Sequence, residues 1–298
     1  MGKVHTTRGH LAAFFSILIW GMTYISTKVL LVSFSAVEII FFRLVLGLIA
    51  LMVISPPIMR ARDLDPGALG RELRFMAAGL FGVTIYFLLQ NVALTYTLAA
   101  NVGVLTSAAP LFTALIAWVF FRDRLKANFF LGFVAAMAGI ILITFNGSFV
   151  FKVDSFGDLL AVLAAVVWAV YTILVKKIDS EYADMVMSTR KIFTYGFLFM
   201  LPIMNVNLFH LGLWRFTVLS NLLNMLFLGL GATAVCFLSW GYAVSVLGPV
   251  KTSVYIYMVP LISIASAALM LGEKISMFAA LGMLMIMVGM ALSEMGKT

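Results

Sequence analysis

Apolar residues run along the chain in long blocks divided by short polar turns. Ten blocks reach the about 20 residues that a bilayer-spanning helix requires. They are 11–32, 36–55, 74–94, 98–120, 127–145, 157–176, 187–205, 219–245, 250–271 and 276–294. The turns between them leave no room for a soluble domain. The pattern predicts an all-α polytopic membrane protein with ten transmembrane helices.

The blocks also repeat. Sliding the chain by 150 residues lays Phe87-Leu88 on Phe237-Leu238, Ala93 on Ala243, Val104 on Val254 and Pro110-Leu111 on Pro260-Leu261. The same shift brings Asp123-Arg124 onto Glu273-Lys274, Gly132 onto Gly282, Met137 onto Met287 and Gly139 onto Gly289. Nearer the start the shift is 148, with Gly9 on Gly157, Trp20 on Trp168, Lys28 on Lys176 and Arg43 on Lys191. An internal repeat of this length decides the architecture. Residues 1–150 form a first five-helix repeat and 151–298 a second. Five is odd, so the second copy enters the membrane from the opposite side, an inverted-topology repeat of the kind secondary transporters use for alternating access.

Composition agrees. The chain is 63% hydrophobic and 11% charged, with a mean hydropathy of +1.12. Soluble domains carry about 25% charged residues, so this one cannot cover a water-facing surface. The net charge of +8 reads as topology, and no nucleic-acid partner is expected. With the amino terminus inside, Arg60, Arg62, Arg71, Arg74, Arg122, Arg124, Lys126, Lys176 and Lys177 fall on the cytoplasmic side. Only Lys28, Lys152, Arg215 and Lys274 fall outside. The positive-inside rule then predicts a multi-pass protein of the cytoplasmic (inner) membrane with both termini cytoplasmic. Cys236 is the sole cysteine and lies in an apolar run, so neither a disulfide nor a zinc site is expected. The first block lacks a small-residue cleavage site and reads as a span. An amino-terminal match to the loose myristoylation pattern and a terminal Gly296-Lys297-Thr298 that imitates a phosphate loop both lack the context such motifs need.

These features together resemble the drug/metabolite transporter superfamily, in particular its ten-helix EamA-type branch. The resemblance rests on the two five-helix halves, a tryptophan in the first helix of each (Trp20, Trp168) and a basic residue in the second helix (Arg43). It rests too on the acidic–basic turn followed by paired glycines: Asp123-Arg124 with Gly132 and Gly139, Glu273-Lys274 with Gly282 and Gly289. It covers nearly the whole chain and implies export or exchange of small metabolites, amino acids among them, through a central cavity.

Arg43 is the sharpest single residue. A charge at membrane depth costs about 2.5–3.5 kcal/mol on insertion scales and normally faces a cavity or a partner. It would bind a substrate carboxylate, pair structurally with Glu38, or snorkel outward. Glu38 reads as the only acid within a span, and no carboxylate sits deep enough to be shared by proton and cationic drug. Lys191, the repeat mate of Arg43, reads as an interfacial charge. Trp20 and Tyr24 share helix one, Thr84, Gln90 and Asn91 helix three, and Trp168 and Tyr171 helix six; Trp240 and Tyr257 follow in helices eight and nine. These are the candidate substrate-binding residues. Polar groups in membrane helices often bond only a neighbouring helix. Adjacent Gln90 and Asn91 cannot both do so toward one neighbour, so one of them should meet water or substrate. Pro110 and Pro260 are matched helix breakers and candidate hinges, through kinks near mid-helix. The paired glycines suit close helix contact.

The expected function is that of a secondary transporter or facilitator moving small metabolites, amino acids with aromatic or other partly apolar side chains first, in the export sense. The alternative is an exchanger of phosphorylated or other anionic metabolites, with Arg43, Arg190 and Lys191 around one cavity. An enzyme would need positioned acid–base or metal-binding groups. His5, His10 and His210 are terminal or in a loop, so no catalytic residue, metal or cofactor is expected. The partners are a small-molecule substrate and the lipid bilayer, the chain being a monomer or a homodimer.

Overall fold

The computed structural model describes residues 2–54, 68–97, 99–122, 127–145, 155–179, 184–204, 209–262 and 277–295. No strand occurs among them, as a lipid setting demands: each backbone amide must be satisfied within its own segment. Ten helical segments follow the apolar blocks. They are α1 (Gly2–Leu30), α2 (Ala36–Ile54), α3 (68–96), α4 (99–121), α5 (Ala127–Phe145), α6 (Ser155–Asp179), α7 (Met185–Met204), α8 (219–247), α9 (249–262) and α10 (Met277–Met295). The turns at Asp123-Arg124 and Glu273-Lys274 lie outside the described residues. Five segments, α1, α2, α3, α6 and α8, are each long and apolar enough to cross a bilayer.

Contacts at the helix ends fix the relative direction of the two halves. A side chain at Gly9 would run into Val246 and Leu247, so α1 begins beside the end of α8. A side chain at Gly157 would run into Tyr96 and Thr97, so α6 begins beside the end of α3. Lys28 Nζ donates to the Leu94 carbonyl (2.8 Å), and Lys176 Nζ to that of Ser245 (2.9 Å). Each lysine caps the last turn of its neighbour, where orphan carbonyls attract a cation. α1 therefore ends on the face where α6 begins, and the two first helices run in opposite directions.

The match extends into the core. α3 contains a π-helical stretch at Leu80–Ile85 and α8 one at Phe227–Val235. Gly47 of α2 abuts Thr233 and the Gly229 carbonyl, while Gly196 of α7 abuts Val83 and the Gly79 carbonyl. Each crossing needs a glycine because the facing atoms already occupy the space of a Cβ. At the periphery α5 and α10 pack on each other within the chain: a Cβ at Gly289 would stand 2.6 Å from the Gly132 carbonyl. The paired glycines are thus used for contact between the halves.

Three sequence expectations change. α4 does not kink at Pro110; it is interrupted at Ser107-Ala108, and Pro110 enters the first turn of the next helix, Ala109–Phe121. There its missing amide leaves no bond unmade. At the equivalent place α9 tightens into a 3-10 turn, Val254–Tyr257, before helix resumes around Pro260. Second, α1 starts at Gly2, ahead of the first apolar block, and there His10 Nδ1 meets the Tyr255 hydroxyl at 2.5 Å. Third, α3 starts at Ala68, which puts Glu72 inside a helix, so Glu38 is not the only acid there.

Candidate functional site

Where α1, α2, α3, α4, α6, α8 and α9 converge lies a cavity of about 50 Å³. That holds a few water molecules and is smaller than pockets that enclose metabolites, about 300–1,000 Å³. Its wall is aromatic. Trp20, Tyr86, Phe87, Trp168 and Phe237 line it, with Thr23, Tyr24, Gln90 and Thr106 as polar neighbours and Arg43 as the charge. No aspartate or glutamate among the described residues takes part.

Arg43 is 3% exposed. Its Nε donates to Thr233 Oγ1 at 3.1 Å, and its guanidinium carbon stands 4.0 Å from the centroid of the Phe87 ring. Thr233 in turn donates to the Leu228 carbonyl five residues back (2.7 Å), the spacing of the π-helical stretch it sits in. Its proton is thereby committed, leaving its oxygen to accept from Arg43. Glu38 does not reach Arg43. It accepts from Arg215 Nη1 (2.9 Å) and from the backbone amides of Ser35 and His210, both at 2.8 Å. Arg215 also stacks over Phe34 and donates to the Ser33 carbonyl.

The tryptophans meet at the centre. Trp20 and Trp168 pack edge to face with centroids 5.2 Å apart, a favoured arrangement of two quadrupoles. Trp20 Nε1 donates to the Ala232 carbonyl (2.9 Å), whereas Trp168 Nε1 has no partner among the described residues. Of the adjacent carboxamides, Gln90 lines the cavity and faces the hydroxyls of Tyr24 and Tyr86. Asn91 is fully buried off the cavity, its Nδ2 without a partner among the described residues.

Five sequence candidates thus line the cavity: Trp20, Tyr24, Arg43, Gln90 and Trp168. The others do not. Thr84 donates to the Gly196 carbonyl (2.8 Å) and ties α3 to α7. Tyr171 lies against Gly82 and backs Trp168, and Trp240 backs Trp20 at 5.2 Å. Tyr257 is fully buried in a separate core with Ala117, Ile173 and Ile286. Lys191 and Tyr195 both bond the carboxylate of Glu72 across α3 and α7, and Lys191 is absent from the cavity wall. Phe87 and Phe237 were missed as wall residues. Their coincidence under the 150-residue shift was the available signal.

A broad surface depression of about 550 Å³ opens on the face where α1 ends. Its residues Lys28 and Leu94 stand one helical turn beyond Tyr24 and Gln90. On the other side of the cavity Ser16 Oγ bonds the Cys236 carbonyl (3.1 Å), and Ala13 and Ile17 are fully buried against α8.

A membrane-spanning bundle of two opposed, matching halves, with a buried aromatic and polar cavity at their meeting point, has the build of a carrier. The chain belongs to the EamA-like transporter family, which matches residues 7–145 and again 155–295. It is 27% identical to an uncharacterized transporter of Archaeoglobus fulgidus, over 96% of this chain and 97% of that one. It is 26% identical to a probable terminal-alkyne amino-acid exporter of Streptantibioticus cattleyicolor, over 87% of this chain and 84% of that one. A solved crystal structure with 18% identity covers 97% of each chain at a TM-score of 0.74, which shows the same fold. The protein is a small-molecule transporter embedded in a lipid bilayer.

Proposed function

We propose that the protein moves small carboxylate-bearing metabolites with aromatic or other apolar side groups, amino acids foremost, across the cytoplasmic membrane in the export sense. Arg43 carries the reading: it is a buried cation on the wall of an aromatic cavity, and the acid on its own helix is engaged elsewhere. A guanidinium presents a planar fork that suits a carboxylate, and the rings suit an apolar side group. The likeness to an amino-acid exporter supports the same class. The phosphate-exchanger alternative loses support, because Lys191 is held by Glu72 and neither it nor Arg190 is on the cavity wall.

Both termini are assigned to the cytoplasm on the distribution of lysine and arginine. The depression beside Lys28 is then the external approach, and the packing of α1 on α8 is the internal closure. Residues 1–150 and 151–298 act as the two rocking halves. The cavity must widen to admit substrate, as alternating access requires.

Counterflow into liposomes of purified protein, with labelled aromatic and branched amino acids and with or without a pH gradient, tests this. Uptake should occur, vanish in Arg43→Ala, and be indifferent to the gradient. Movement of phosphorylated sugars with no movement of amino acids would discard the substrate class.

A further inference from the structure

We infer that the site recognises a carboxylate and a ring but not an ammonium group, so that monoanionic aromatic acids bind more tightly than the matching amino acids. The inference rests on the carboxylate reading above and departs from it in placing 2-oxo acids ahead of amino acids.

The protons around the cavity can be assigned. Thr23 Oγ1 donates to the Trp20 carbonyl (2.7 Å) and Thr106 Oγ1 to the Val102 carbonyl (2.6 Å). With the proton of Thr106 committed, the 2.9 Å contact between Tyr24 and Thr106 has Tyr24 as donor. Besides the Gln90 amide and the Tyr86 hydroxyl, which face each other, two donors of wall residues remain for a ligand: the guanidinium of Arg43 beyond its Nε, and the indole N–H of Trp168, buried to 4% exposure and without a partner among the described residues. Both residues line the cavity, and a carboxylate has an oxygen to accept from each. An unpaired buried donor carries a desolvation cost that such a ligand would relieve.

An ammonium finds only neutral acceptors, the oxygens of Gln90, Tyr24, Tyr86 and the two threonines. No acid among the described residues lines the cavity. The face of Phe87 is covered by Arg43, and Trp168 is hemmed in by Trp20, Tyr86, Tyr171, Phe237 and Trp240. Two ring faces that would hold a cation are therefore covered. An α-ammonium would also lie a few ångströms beyond the carboxylate that Arg43 grips, so like charges repel in a medium that screens them poorly. A 2-oxo acid has the same carboxylate and ring with a carbonyl in place of the ammonium, and the bound pair is then neutral.

The test is competition in reconstituted liposomes against labelled phenylalanine and, separately, labelled phenylpyruvate. Unlabelled phenylpyruvate, phenylalanine and phenylalaninamide are the competitors. Phenylpyruvate is expected to compete at least tenfold better than phenylalanine, and phenylalaninamide to compete least. Trp168→Phe, which keeps a ring and removes the N–H, should weaken phenylpyruvate about fivefold. Trp240→Phe, which removes an equally unpartnered N–H away from the cavity wall, should leave the order of competitors unchanged. Equal or better competition by phenylalanine overturns the inference while leaving the carboxylate reading intact. No transport or competition by either acid overturns both.

Discussion

Glu38 binds Arg215 at 2.9 Å and leaves Arg43, five residues further along the same helix, without a carboxylate among the described residues. The helix itself decides this. Five residues turn through about 500°, so the two side chains leave α2 about 140° apart. Glu38 looks toward the segment that precedes α8, and Arg43 toward the cavity. The acid thereby fastens one end of the bundle and the base stays available at its centre.

Removing the fastener should affect stability and spare recognition. Glu38→Gln strips the charge that two amides and a guanidinium bind. The expected cost is about 1.5–3 kcal/mol, that of a hydrogen bond to a charged group, seen as a lower melting temperature in detergent. The KM of the transported acid should stay within about twofold of wild type. A rise as large as that of an Arg43 variant would mean that Glu38 acts on the site.

Thr233→Val keeps the shape of the side chain and removes the oxygen that holds Arg43 Nε. The guanidinium then keeps only its stacking on Phe87, and a buried N–H loses its acceptor. A KM increase of about five- to tenfold is expected, equivalent to about 1–1.4 kcal/mol. Arg43→Lys should do worse, since an ammonium lacks the fork. Uptake kinetics over a range of substrate concentrations separate the two.

The glycines at the two crossings should tolerate no side chain. In Gly196→Val the first new carbon would stand 2.6 Å from Val83, and in Gly47→Ala it would collide with Thr233. Overpacking of this kind costs about 1–3 kcal/mol. Gly196→Val should lower the yield of folded protein and its melting temperature. Gly70→Ala, where nothing stands within 4 Å, is the matched control and should be neutral.

If the helix breaks before Pro110 and Pro260 serve as hinges, removing the proline rings that keep the preceding turn from joining the helix should stiffen them. Pro110→Ala with Pro260→Ala is expected to slow maximal counterflow at least threefold with KM retained, because reorientation and not binding is impeded. Unchanged maximal flux would make the breaks static features that shape the cavity.

Much of this architecture was legible because lipid imposes a simple grammar. Twenty apolar residues make a span, and each of the ten blocks contains a helix among the described residues; the repeat paired Gly9 with Gly157 and Lys28 with Lys176, pairs that now make equivalent contacts. The cavity wall was harder. Gln90 and Asn91 are neighbours in sequence, yet one helical step of about 100° sends the first to the cavity and the second into packing. Thr84 and Tyr257 carry groups suited to a substrate but lie on faces turned to other helices. The π-helical stretches left no trace at all, because shifting a hydrogen bond from the fourth to the fifth residue changes no residue preference that a reader can see. Without them the meeting of Thr233 and Arg43 was invisible, as was the clasp of Glu72 with Lys191 that depends on where α3 begins.

The twin crossings, Gly47 on Thr233 and Gly196 on Val83, are alike in place and unlike in what they present. They pair the same parts of the two halves yet differ in chemistry. One offers a hydroxyl that accepts from a buried guanidinium, and the other offers only an aliphatic side chain. The likeness of the two halves therefore stops at the backbone, and the charge on the cavity wall belongs to one half alone.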